Sequence, residues 1–174
     1  MEKATVLTQL LPANPGRDAE AMRLLDAIAF LYAAPYMSSA TEIIAEGRQA
    51  RAGGDLAAAR SRYAEAAKIY RDQNDLLSYA HTIRHVADIY QQESNSDEAK
   101  ALYEESIELY RSNLNTKILD LANALRPYAL LNEAQGNLEL ASKLWEEARQ
   151  LYSSLRVEPG VSECDEHIRK LQQP

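Results

Sequence analysis

"GNLELASKLWEEARQLY", residues 136–152, has two earlier counterparts in the same chain: "GDLAAARSRYAEAAKIY" at 54–70 and "SNSDEAKALYEESIELY" at 94–110. In register, Gly54, Ser94 and Gly136 share a turn position, Ala59, Ala99 and Ala141 a small position, and Tyr63, Tyr103 and Trp145 a large aromatic position. Ala66, Ser106 and Ala148 are small again, and Tyr70, Tyr110 and Tyr152 are aromatic again. The offset is 40 and then 42 residues at all five positions, so the chain carries an internal repeat. Small at i, aromatic at i+4, small at i+7 and aromatic at i+11 lie on one face of a helix. The small residues let a neighbouring helix come close, and the aromatics fill the space beside it.

A second helical stretch precedes each copy: "TEIIAEGRQARAG", "AHTIRHVADIYQQ" and "LANALRPYALLNEAQ". Their inward faces also register, with Ile43, Ile83 and Leu125 equivalent, then Gly47, Ala87 and Ala129, then Ala50, Tyr90 and Asn132. In the middle copy Ile83, Val86, Ala87 and Tyr90 form an apolar stripe of helical spacing. The spacing predicts helix pairs over about 39–72, 75–113 and 117–155, the first opened by a capping box from Ser39 to Glu42. Pro127 removes one helical hydrogen bond, so its helix either starts late, near Arg126, or is kinked there; the register favours the kink. A last helix is expected from Pro159, with Val161, Cys164, Ile168 and Leu171 as its apolar stripe. Residues 17–33 also read as a helix, with Pro35 just after it.

The turn "GD" or "GN" followed by Ala-x-x-x-aromatic-x-x-Ala, with a small residue midway along the preceding helix, resembles the tetratricopeptide repeat. The resemblance covers residues 39–155. The family's usual period is about 34 residues and its repeats end in Pro. The longer period here is similar to the kinesin-light-chain type, and the missing Pro is a departure from the family's pattern. The resemblance implies an all-α, right-handed solenoid of antiparallel helix pairs. Residues 1–38 would be an N-terminal cap or decayed repeat, 39–155 three repeats, and 156–174 a C-terminal capping helix.

Composition bounds the function. The formal net charge is -7 and 26% of residues are charged, which disfavours a phosphate-based grip on nucleic acid and adsorption to anionic lipid. The most apolar run, "LLDAIAFLYAAPYM", is too short to span a bilayer and carries Asp26 and Pro35. The N-terminus lacks a basic n-region and a clean apolar core, and the single Cys164 allows no intrachain disulfide. A cytoplasmic setting is expected.

Catalytic candidates are thin. His81 and His85 have one-face metal spacing, but a polar helix face accounts for them without a third ligand. Cys164 and His167 lie three apart, yet the stripe makes Cys164 a core residue. No phosphate-binding glycine loop or nucleophile elbow is present. The expectation is no enzyme, no catalytic residue, no metal and no cofactor.

In tetratricopeptide proteins the first helices line a concave groove. The resemblance therefore carries a binding role to Thr41, Ile44, Arg48 and Arg51 in the first unit. It does the same for His81, Arg84, Asp88 and Gln91 in the second, and for Asn123, Arg126, Leu130 and Glu133 in the third. Four arginines and two acids make this surface cationic (4 − 2 = +2), while Glu98, Glu104, Glu105 and Glu108 crowd the outer face of the middle unit. The groove residues Arg48, Arg51, His81, Arg84, Asp88, Gln91, Asn123 and Arg126 are expected to bind an acidic peptide or a free carboxylate. Arg84 and Arg126, 42 residues apart, are expected to stack as a ladder. The lysines of the chaperone-binding subclass are missing. The partner is a protein, a peptide, or a second copy of the chain in a homodimer.

Overall fold

Two 17-residue helices and two three-residue turns make a 40-residue period, and this accounts for the repeat. In the computed structural model, residues 39–173 are described. They form α1 (Ala40–Ala52), α2 (Leu56–Asp72), α3 (Leu76–Gln92), α4 (Ser96–Ser112), α5 (Ile118–Ala134), α6 (Leu138–Ser154) and α7 (Glu158–Leu171). No strand occurs among the described residues. The reading of 17–33 as a helix, and of 1–38 as a cap or decayed repeat, lies outside the described residues.

The turns explain the register. After α1, α3 and α5, one residue takes a left-handed backbone: Gly54 (φ +83°), Ser94 (φ +63°) and Gly136 (φ +77°). The next residue then donates its N–H back to the helix just ended, as in Asp55 to Ala50 O (2.9 Å), Asn95 to Tyr90 O (2.8 Å) and Asn137 to Asn132 O (2.9 Å). This closure satisfies a helix-end carbonyl. The same bond follows α2, from Asp75 to Tyr70 O, and α6, from Val157 to Tyr152 O, at 2.9 Å each. The joint from α4 to α5 is the exception. It runs 113–117, two residues longer than the other turns, and it produces the 42-residue offset. The capping box holds as expected, with the Glu42 carboxylate accepting from the Ser39 N–H at 2.7 Å and Ser39 Oγ accepting from the Glu42 N–H at 3.3 Å.

Each helix packs on the next, and the first helices α3 and α5 also touch. The architecture is an all-α solenoid. Tyr63, Tyr103 and Trp145 are buried, as are Ile43, Ile83 and Leu125. Gly47 shows why a small residue sits midway along the first helix: a Cβ there would stand 3.3 Å from Tyr63 Cε1 and Arg62 Cβ. Tyr70 is only half-buried, unlike its equivalents Tyr110 and Tyr152. Cys164 is fully buried in the core, and burial pushes its thiol up to about 11. α5 runs unbroken through Pro127, so the late start at Arg126 does not occur.

No described helix is long and apolar enough to cross a membrane.

Candidate interaction cleft across the first helices

The first-helix faces of three successive units meet in a cleft of about 360 Å³. Its lining comes from α1 (Arg51), α3 (Arg84, Asp88, Gln91, Gln92) and α5 (Asn123, Arg126, Pro127, Leu130). Six of the eight expected binding residues are therefore brought together. His81 is placed elsewhere. It lines an adjoining cleft of about 430 Å³ with Ile44, Tyr70, Asn115, Lys117 and Asp120. Arg48 is exposed and lines neither cleft.

Asp88 is the electrostatic centre. Its Oδ2 lies 3.1 Å from Arg84 Nη1, 3.5 Å from Arg51 Nη1 and 3.4 Å from His85 Nδ1. Tyr103 Oη lies 2.8 Å from both Asp88 Oδ1 and Gln91 Oε1. A phenol has one proton, so it donates to the carboxylate; turning the Gln91 amide lets its NH₂ donate to the phenol oxygen. Burial alone would raise the Asp88 carboxyl, but the His85 hydrogen bond and the Arg84 charge outweigh it and hold the pKa below the usual range. Desolvation, then the charge of Asp88, pushes the Tyr103 phenol far up.

His81 and His85 face each other, with their Nε2 atoms 3.3 Å apart. Burial, then the charge of His85, lowers His81 to about 4, and burial lowers His85 as well. Both rings are neutral at pH 7, and one donates to the other. No group of three or more potential metal ligands occurs among the described residues.

The Arg84–Arg126 ladder is not a pair of free guanidinium groups. Arg84 is bound to Asp88, whereas Arg126 is held by a residue on the last helix: its Nε and Nη2 donate to the two carboxylate oxygens of Glu163, both at 2.7 Å. The Glu163 hydrogen bond raises the Arg126 pKa further. Glu133, counted with the groove, engages other partners. It accepts from the Trp145 indole N–H, and it lies 2.8 Å from Nδ1 of His167, whose ring stacks on Trp145 at 4.3 Å. Asn123 Oδ1 accepts from the Tyr152 hydroxyl at 2.8 Å, which fixes the amide and leaves its NH₂ outward on an exposed residue. The lining thus holds three guanidinium groups and one carboxylate.

Sequence reading missed Glu163, although a signal was available. The turn into α7 repeats the turn into α3: Arg156, like Asn74, has φ +57°. α7 therefore stands where the first helix of a fourth unit would, and Glu163, 40 residues after Asn123, takes the position of His81 and Asn123.

The model of the soluble NSF attachment protein family, SNAP, matches residues 20–164. The chain belongs to the SNAP family. Its fold is shared with a solved structure from Podosopora anserina, a putative kinesin light chain of nearly identical TPR-like repeats, at a TM-score of 0.57 and 18% identity. That match covers 90% of this chain and 88% of the other. No curated protein matches the sequence. The tetratricopeptide-like character read from the repeats is thereby established, and SNAP membership narrows it. Repeat families of this kind are generally adaptor scaffolds for protein partners and generally non-enzymatic.

Proposed function

We propose that this SNAP-family chain holds a partner protein by an acidic segment seated in the cleft across α1, α3 and α5. One observation carries the reading. Three guanidinium groups face one carboxylate in the cleft lining (3 − 1 = +2), on a chain of net charge -7. Guanidinium groups bind carboxylates through two parallel hydrogen bonds, which gives direction as well as attraction. The outward Asn123 amide adds a donor to a peptide carbonyl. On this reading residues 39–155 are the binding part and 156–174 close the stack. The setting is cytoplasmic, and the acidic surface keeps nucleic acid and anionic bilayers away.

The test is a fluorescence-anisotropy titration with a labelled peptide of alternating Glu and Gly, comparing the wild type with Arg51→Ala/Arg126→Ala. Both side chains are partly exposed, at 29% and 43%, and Asp88 keeps Arg84, His85 and Tyr103 when Arg51 is removed; circular dichroism verifies that the double variant is folded. Binding that weakens with salt and falls roughly tenfold or more in the variant, about 1.4 kcal/mol, is the expected result. Equal affinity in a folded double variant would move the binding surface off this cleft.

A further inference from the structure

The three cleft arginines are not equally available to a ligand. Arg84 and Asp88 are 13% and 14% exposed, and Asp88 also accepts a hydrogen bond from the Tyr103 hydroxyl and pairs with a second guanidinium, that of Arg51. Drawing Arg84 away strips a donor from a buried carboxylate, and drawing Arg51 away removes one of its ion pairs, both of which are unfavourable. Arg126 is different. Its partner is 31% exposed, comes from α7 and has no other hydrogen bond or ion pair among the described residues. Freed from Arg126, Glu163 returns to water at little cost, as exposed ion pairs do.

The contact has the geometry of a ligand. Glu163 presents both oxygens to Nε and Nη2 at 2.7 Å, the two-bond match that an incoming Asp or Glu side chain would make. It does so from the repeat position held by His81 and Asn123 on the two preceding first helices. We infer that Glu163 is a displaceable stand-in for a partner carboxylate on Arg126, so that Arg126 is the cleft arginine that an acidic segment engages and α7 competes with it for that contact. This rests on the cleft reading proposed above. The exchange is balanced: two N–H···O bonds are lost to Glu163 and two are made to the ligand, and the ligand carboxylate gives up its hydration as Glu163 regains it. α7 stays docked meanwhile, because Cys164 is buried, Gly160 lies against Tyr152, and Arg149 pairs with Asp165.

The experiment uses the full chain and the same labelled Glu-Gly peptide at one fixed ionic strength. Glu163→Gln removes the competitor and should tighten binding by about three- to fivefold, the size of one exposed ion pair. Glu166→Gln is the control. It removes an equal charge from the same helix, but Glu166 pairs with Lys170 and not with a cleft residue; its affinity should stay within about 1.5-fold of wild type, since a screened distant charge contributes little. In Glu163→Gln/Arg126→Ala the gain should vanish. A second measurement needs no variant: in wild type labelled with ¹⁵N-arginine, the Arg126 Nε–H resonance should move on adding peptide while that of Arg84 stays.

A Glu163→Gln protein binding no tighter than Glu166→Gln would overturn the inference, as would a gain that survives loss of Arg126 or an unmoved Arg126 resonance. In each case, weakened binding by Arg51→Ala/Arg126→Ala would leave the cleft reading standing. Peptide that binds no version of the protein would end both.

Discussion

Replacing Trp145 by alanine tests the repeat register, because that residue stands where Tyr63 and Tyr103 stand in the other units. Trp145 is fully buried, stacks on His167 at 4.3 Å and donates its indole N–H to Glu133. Removing the ring leaves a cavity between α5, α6 and α7 and takes one donor from Glu133. Truncating a buried Trp costs ~3–5 kcal/mol. For a chain of 174 residues this lowers Tm by roughly 6–20 °C at 2–4 °C per kcal/mol. Trp145→Tyr is the sharper half of the test. It installs the residue of the other two units, whose Tyr103 hydroxyl reaches Gln91, the equivalent of Glu133. A swap of similar shape with a restored donor should cost less than about 1.5 kcal/mol. The assay is thermal unfolding by circular dichroism at the helical band, since tryptophan fluorescence disappears with the only Trp in the chain. A Trp145→Ala protein melting within about 2 °C of wild type, or one no less stable than Trp145→Tyr, would refute the packing argument.

Gly160→Ala should destabilise by about 1–3 kcal/mol, read as a lower urea midpoint: a Cβ there would stand 2.6 Å from Tyr152 Cγ in the interface between α6 and α7. Ser94→Gly should stabilise by up to about 1 kcal/mol in the same assay, because Ser94 holds φ +63° where the other two units use glycine, and the gain is limited by the extra freedom of the unfolded chain. Acidification should destabilise the protein from the ordinary histidine range, near 6.5, down to about 4, because folded His81 stays neutral to about 4 while the unfolded chain takes up the proton earlier. Burial and His85 outweigh Asp120 there, with Arg84 and Arg48 acting in the same direction as His85; solvent at the exposed edge of His81 moderates the effect. His81→Asn/His85→Asn should flatten the Tm profile between pH 7 and pH 5; an unchanged slope would show that the pair titrates normally.

The helices and their pairing were legible because small and aromatic residues recur at fixed offsets, and those positions are where helix packing tolerates least variation. The same register placed six of the eight expected residues on one cleft. It did not find the partners that neutralise them. Asp88 reads as one acid on a helix face, yet its ion pair with Arg51 joins α1 to α3, a contact that no spacing within a helix encodes. Glu133 sits in helical register with Leu130 but turns to Trp145 and His167, because a buried indole N–H needs an acceptor. His81 is one unit before Asn123, yet it faces the adjoining cleft. The longer joint at 113–117 lies between those two first helices and adds Asn115 and Lys117 to that cleft. Pro127 was legible as a late start or a kink, with the register favouring the kink; α5 runs through it, and the late start is the alternative that falls away.

The aromatic positions connect the packing to the cleft. Three second-helix aromatics bury their rings between helices and carry their polar tips to the first helix of their own unit. Tyr103 reaches Asp88 and Gln91, Trp145 reaches Glu133, and Tyr152 reaches Asn123. A phenol or indole can serve both ends, since most of the side chain is apolar and one atom donates a hydrogen bond. The tips therefore orient Asp88, Gln91 and Asn123, which line the cleft, from beneath. Tyr110 shows the dependence in reverse. It is the equivalent of Tyr152, but His81 stands in the place of Asn123 and pairs with His85, and the Tyr110 hydroxyl is left buried without a partner. In the third unit the series Gly160, Tyr152, Asn123 links the docking of α7 to the amide that faces the cleft. The bond from Arg126 to Glu163 joins the same helix to the same cleft by charge. The last helix thus reaches the cleft twice, once by packing and once by an exchangeable carboxylate, and only the second contact can change without unfolding the unit.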